Sequence, residues 1–140
     1  NPVLTIKATV KNLLASPREA MMRSHTNFHL GALQQFNVHF TDLENNPHTH
    51  QADEVIPGLR EGIKFRKKEI PKNEWCLRGD IPLEVIQRFD SEQLDHAWLY
   101  AYPEYINDLE CELWAKAVLL QPGESHSFTV DWEIHPVSLP

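Results

Sequence analysis

Eight histidines in 140 residues are the most unusual compositional feature of this chain. Two of them, His25 and His96, lie in segments 24–28 and 94–98, which also carry aromatic or apolar residues. Because the ordinary pKa of an imidazole lies near neutrality, a histidine held on a strand in such surroundings can act as a general acid or base. The alternative is that each is a core or surface histidine without a part in chemistry.

A pair of glutamates could supply the partner for such a histidine. Glu110 and Glu112 are separated by one residue, so an extended segment places both on the same face. The residues that alternate with them are Leu109, Cys111 and Leu113. On a buried face, two like charges this close would raise the pKa of one carboxyl group. On a solvated face they would carry no chemistry.

His48 and His50 form a third constellation, within the polar segment 42–54. Two imidazoles on the same side of an extended segment can chelate a metal ion if a third ligand is close. Candidates for that ligand are His39, Asp53 and Glu54. A metal-binding β-barrel that uses this His-X-His pattern is one alternative. The segment also contains a central proline and is typical of a long loop, in which two exposed histidines would bind no metal.

The charge of the chain argues against polyanionic partners. The sequence has 20 acidic and 13 basic side chains, for a formal net charge of −7. Its basic cluster at 64–68 is flanked by Glu61 and Glu69, whereas phosphate backbones require clustered lysine and arginine. We therefore expect neither nucleic acid nor a membrane as a partner.

No apolar run approaches the roughly 20 residues of a spanning helix, and the N-terminus lacks the pattern of a signal peptide. The compartment is left open.

Alternating apolar and polar residues predict strands along much of the chain. The clearest run is 125–134, and its apolar residues are Phe128, Val130, Trp132 and Ile134. Residues 3–10 alternate in the same way, which is typical of a half-buried strand. The sequence Gln-Pro-Gly-Glu at 121–124 suits a type II turn, because glycine tolerates the positive φ that the third position needs. Strands joined by short turns predict an all-β, antiparallel β-sandwich.

One short helix is the most that the sequence allows, near 81–90. Pro82 suits the first helical position and Asp80 could cap the helix. Val85 and Phe89 are four residues apart, as on one face of a helix.

The length fits a single domain, residues 1–140, with enough buried surface for a core without disulfides. The spacing of Cys76 and Cys111 does not require a bridge, so we expect two buried free thiols. The chain enters its first strand at once, which suggests a piece of a longer protein.

Several short segments resemble, in order, the C-terminal half of the galactose-mutarotase-like family, which includes the aldose 1-epimerases. The strand 4–12 and the following Ser-His-Thr-Asn-Phe at 24–28 resemble the family's opening strand and histidine segment. Leu-Asp-His-Ala-Trp at 94–98 is similar to its Asp-His phrase. The segment 109–114 and the Pro-Gly-Glu turn at 122–124 resemble its final strands. The family fold is a β-supersandwich.

The resemblance implies a domain that binds or acts on carbohydrate. His96 would be the general acid that protonates the ring oxygen of the sugar. Glu112 or Glu110 would be the base that takes the proton of the anomeric hydroxyl. Residues implied in substrate binding are His25, Asn27 and Trp98. The implied partner is a small sugar or glycan, and no cofactor is expected.

An accessory immunoglobulin-like sandwich without chemistry of its own fits the same strands equally well. Such a domain would dock against the rest of a larger chain. Geometry separates the two hypotheses. An enzyme requires His25, His96 and Glu112 on one concave face, whereas placement on opposite sheets or in the core favours the accessory role.

Overall fold

The computed structural model describes residues 2–29, 36–51, 62–102 and 108–138. Strands dominate these ranges: β1 Val3–Lys11, β2 Arg18–Ala20, β3 Arg23–His29, β4 Phe36–Thr41, β5 Pro47–Gln51, β6 Ile63–Arg66, β7 Glu74–Gly79, β8 Leu83–Phe89, β9 Leu94–Tyr102, β10 Asp108–Ala115, β11 Val118–Leu120 and β12 Ser125–Pro136. Two single-turn 3₁₀ helices lie at Lys67–Glu69 and Ser91–Gln93. Neither they nor any other described helix is long and apolar enough to cross a membrane. The all-β prediction is confirmed.

The strands form three antiparallel sheets. A six-stranded sheet has the order β1-β12-β8-β7-β4-β5, a four-stranded sheet has the order β3-β10-β9-β6, and β11 pairs with β2. No sheet closes on itself within the described ranges, so the β-barrel alternative is wrong. The open, layered arrangement is that of the predicted sandwich.

The core lies between the two large sheets. Leu99, Leu109 and Leu113 of the four-stranded sheet are fully buried, and Val130 of β12 is 3% exposed. Each buried leucine contributes roughly 1.5–3 kcal/mol relative to an exposed one. Both cysteines are free, as expected, but only Cys111 is buried, and Cys76 is partly exposed.

The strand predicted at 125–134 is confirmed as β12. Phe128, Val130 and Trp132 enter the core because period two keeps them on one face, whereas Ile134, further along the strand, is 43% exposed. The turn before it has the predicted type II form. Gly123 has φ +83°, and the backbone N–H of Glu124 donates to the carbonyl of Gln121 over 3.0 Å.

The helix predicted near 81–90 is wrong. Residues Leu83–Phe89 form β8, which pairs with β7 on one side and β12 on the other. The spacing of Val85 and Phe89 does not distinguish a helix from a strand, because residues four apart lie on the same side of both structures. Gln87, between them, is 1% exposed and points to the same side, which only a strand allows.

Strand β1 is confirmed, but it is not half-buried. It lies at the edge of the six-stranded sheet and pairs with β12. Leu4 is opposite Trp132 and Ile6 is opposite Val130, so these side chains share the core-facing side of the sheet. They are nevertheless 60% and 52% exposed, because the second layer does not extend over β1.

Candidate functional site

One face of the four-stranded sheet collects the predicted site residues. Glu112 of β10 is opposite His25 of β3 on one side and Trp98 of β9 on the other. Directly paired residues of neighbouring strands point to the same face. The core takes the alternate residues of β10, so this face looks away from the core. We call it the site face, defined by Arg23, His25, Asn27, His96, Trp98, Glu110, Glu112 and Trp114.

His25 joins the two glutamates. Its Nε2 lies 3.0 Å from Oε2 of Glu110 and 3.2 Å from Oε1 of Glu112. The glutamate side chains are only 9% and 6% exposed, whereas that of His25 is 35% exposed. The alternative of a solvated glutamate pair is therefore wrong, although the side chains lie on the face away from the core.

The second oxygen of Glu112 is held by two other groups. Trp114 Nε1 donates a hydrogen bond to Oε2 over 2.6 Å, and Nη1 of Arg23 lies 3.6 Å from the same atom. The guanidinium of Arg23 also lies 4.8 Å above the Trp114 ring. These contacts turn the other oxygen, Oε1, toward His25.

His96 is buried on the site face next to these groups. Its Nδ1 contacts Oδ2 of Asp95 at 2.7 Å, and its ring stacks on Trp114 with centroids 5.2 Å apart. The hydrogen bond from His96 lowers the pKa of Asp95 below its ordinary value, so this carboxylate stays charged near neutrality. The other nitrogen, Nε2, is buried and has no hydrogen-bond partner in the described structure. Such an atom is rare in a folded chain and calls for an explanation.

Trp98 and Asn27 complete the predicted set. The Trp98 ring lies 4.2 Å below Nζ of Lys64 and meets Tyr100 edge-on at 5.6 Å. Gly62, with φ +65°, packs against this indole so closely that an added Cβ would lie 2.1 Å from Nε1. Asn27 is exposed on β3 opposite Glu110.

The His-X-His pair lies elsewhere, on the six-stranded sheet. His48 and His50 are on β5, paired with β4, so the predicted loop is wrong at 47–51. The sequence of β5 does not alternate between apolar and polar residues, because histidines occupy the inward positions. Both imidazole rings stack on Phe40. His48 Nε2 is 2.9 Å from Oδ2 of Asp42, and this contact, with bonds from Asn46 and Glu44, lowers the pKa of Asp42.

No three-ligand group includes His48 or His50 among the described residues. His39 Nδ1 instead contacts the hydroxyl of Thr49 at 3.0 Å. The other two ligand candidates, Asp53 and Glu54, lie outside the described residues.

Three members of the site were missed by sequence reasoning: Arg23, Asp95 and Trp114. The signal was available, since Arg23 is two residues from His25 and Trp114 is two residues from Glu112. Extending period two along β3 and β10 finds Arg23 and Trp114, whereas Asp95 is the direct chain neighbour of His96.

No family model and no curated protein sequence matches this chain. Solved structures do match. The Slr1438 protein from Synechocystis sp. PCC 6803 superposes with a TM-score of 0.69 at 16% identity, covering 96% of this chain and 51% of that one. The galactose mutarotase related enzyme from Lactobacillus acidophilus gives 0.66 at 14%, covering 98% and 60%.

A putative aldose 1-epimerase from Escherichia coli K12 gives a TM-score of 0.60 at 11% identity, with 96% of this chain and 57% of that chain covered. The chain thus spans about half to three-fifths of the length of these structures. At such low identity the likeness concerns the fold. The chain has the β-sandwich fold found in galactose-mutarotase-like and aldose 1-epimerase-like proteins, over part of their length.

Proposed function

We propose that the site face binds a small sugar and interconverts its anomers by acid–base catalysis. The observation that carries this proposal is the buried, unpartnered Nε2 of His96 on the same face as two buried carboxylates. An acid and a base held near each other are what ring opening of an aldose requires. The similar folds of the mutarotase-related structures support the choice of sugar as substrate.

His96 is the proposed general acid. The carboxylate of Asp95 accepts a hydrogen bond from Nδ1–H, so in the acid form of the ring Nε2–H is left to donate toward a ligand. The proton would pass to the ring oxygen of the sugar as the bond from C1 to that oxygen breaks. Stacking on Trp114 fixes the plane of the imidazole.

Glu112 is the proposed base, with Glu110 as the alternative. It takes the proton of the anomeric hydroxyl, and a carbonyl forms at C1. Rotation about C1–C2 and the reverse proton transfers then close the ring in the other configuration. His25 would help to bind the ring oxygen, Asn27 would bind a hydroxyl group, and Trp98 would offer an aromatic surface to the sugar ring.

The test is anomer exchange measured by NMR on glucose and galactose. We expect the protein to accelerate exchange over buffer, and His96→Ala to reduce the acceleration by about 10²-fold or more, the usual contribution of a general acid. His135→Gln is the matched control because His135 pairs with Glu133 on the other sheet. Exchange that is unchanged in His96→Ala would remove His96 from the mechanism.

A second candidate function is a non-catalytic sandwich within a larger protein. The uncovered apolar side of β1 favours it, since an exposed core-facing surface usually marks an interaction site. In this proposal residues 1–140 are one domain, and a further part of a longer chain covers Leu4 and Ile6. A folded protein that gives no exchange above the buffer rate on either sugar would favour this function over the first.

A further inference from the structure

We propose that His25, Glu110 and Glu112 form a binding site for one divalent transition-metal ion. The three donor atoms come from adjacent strands β3 and β10 and lie within 4.8 Å of one another. Sugar is not needed for such binding, so the inference stands apart from the proposed catalysis.

The two donor-atom distances from His25 suit a single small ion, and the two carboxylate oxygens lie within 4.8 Å of each other. Nε2 of His25 is 3.0 Å from Glu110 Oε2 and 3.2 Å from Glu112 Oε1. Neighbouring ligands of a metal with bonds of about 2.0–2.1 Å lie roughly 3.0–3.4 Å apart. The same distances are also those of hydrogen bonds, but Nε2 carries at most one hydrogen and two carboxylates compete for it.

The burial of the carboxylates adds a demand for positive charge. Buried carboxylates are usually paired or coordinate metals, because an uncompensated charge is costly away from water. Arg23 lies near Glu112 but on the side of Oε2, and it is 43% exposed. Within the described residues, His25 is the basic side chain that contacts Glu110. A divalent ion would neutralise both glutamates at once.

The surroundings already orient the ligands. Trp114 and Arg23 hold Oε2 of Glu112, so Oε1 is left to face His25. Outer groups of this kind fix the orientation of ligating side chains in metal sites. The 35% exposure of His25 leaves an open side, where water could complete the coordination.

The ligand chemistry points to a metal of intermediate softness. One imidazole and two carboxylates suit Zn²⁺ or Mn²⁺. Zn²⁺ is the better probe because it is redox-inert and accepts three protein ligands plus water. Bound Zn²⁺ would occupy the Nε2 lone pair of His25 and an oxygen of Glu112. We therefore expect it to inhibit any anomer exchange in which Glu112 is the base.

The experiment is calorimetric titration of the metal-free protein with Zn²⁺ at neutral pH, without sugar. We expect one site with a Kd of about 10 μM or tighter, a value that also raises the Tm when Zn²⁺ is in excess. His25→Gln and Glu110→Gln keep the side-chain shape, and each should weaken binding at least about tenfold, since each removes one of three ligands.

Two histidines outside the proposed metal site provide the control variants. His48→Gln and His135→Gln remove imidazoles that contact Asp42 and Glu133, and they should leave the affinity unchanged. Circular dichroism of each variant checks the fold. The proposal is overturned if Zn²⁺ binding is absent, or if it persists at full affinity in the folded His25→Gln and Glu110→Gln proteins. Failure of anomer exchange with retained Zn²⁺ binding would reject the catalytic proposal alone.

Discussion

Replacing His25 with glutamine tests whether this imidazole compensates the two buried glutamates. Glutamine keeps a donor of similar length but cannot carry positive charge. Glu110 and Glu112 would then face each other on the site face without their shared partner. We expect His25→Gln to lower the free energy of unfolding, and Glu110→Gln in the same protein to restore part of it by removing one of the like charges.

The magnitude follows from burial. Removing one partner of a fully buried ion pair typically costs about 3–5 kcal/mol. His25 is 35% exposed, and its contacts to the carboxylates are 3.0 and 3.2 Å. Solvent screening at a site this open reduces the expected loss to roughly 1–3 kcal/mol. The second substitution should return about 1 kcal/mol, because the remaining carboxylate no longer faces a like charge.

Urea unfolding of the wild type, both single variants and the double variant measures the coupling. All samples contain a chelator so that bound metal does not contribute. The effects of substitutions at independent sites on the free energy of unfolding add to within about 0.5 kcal/mol. The coupling between His25 and Glu110 must therefore exceed that value. Strict additivity, or a loss below about 0.5 kcal/mol in His25→Gln, would show that the imidazole is not compensating the pair.

Four further outcomes are expected. Gly62→Ala should lower the free energy of unfolding in urea by about 2–4 kcal/mol, because the left-handed φ at this position disfavours alanine and the new Cβ would collide with Trp98. A loss below about 0.5 kcal/mol would contradict this close packing. Asp42→Asn should lower the Tm near neutral pH. The pKa of Asp42 is lowered in the folded protein, so the Tm difference between the wild type and this variant should shrink as pH falls below about 4. A Tm difference that stays constant with pH would show that Asp42 is not held as a carboxylate by these contacts. Burial raises the pKa of Cys111, so a thiol reagent should modify it only as fast as the protein unfolds, and rapid native-state labelling would count against burial. Ile6→Lys should change stability by less than roughly 0.5 kcal/mol in thermal melts, and a loss above about 2 kcal/mol would mean that β1 is covered.

Strand positions could be predicted where one side of the strand is purely apolar. This holds for β12 and β10, whose alternate residues enter the core. The pattern fails for β5, because imidazoles take the inward positions, and for β8, because buried Gln87 interrupts the apolar series.

The burial of Glu110 and Glu112 could not be predicted from their own strand. Alternation shows that two residues share a face, but it does not show what neighbouring strands place around them. Here β3 brings His25 and Arg23 alongside, and β10 itself supplies Trp114. The same limit applies to β1, whose alternation predicts a covered side that the second sheet does not reach.

The pairing of β1 with β12 also has a consequence for the order of folding. Thr5 and Asp131 are hydrogen-bonded although they are 126 positions apart. During synthesis, β1 leaves the ribosome long before the strand that it pairs with in the described sheet. Contacts of such long range form slowly, since a large loop must close first. Strand β1 therefore cannot form its described pairing until Asp131 and the rest of β12 have been made.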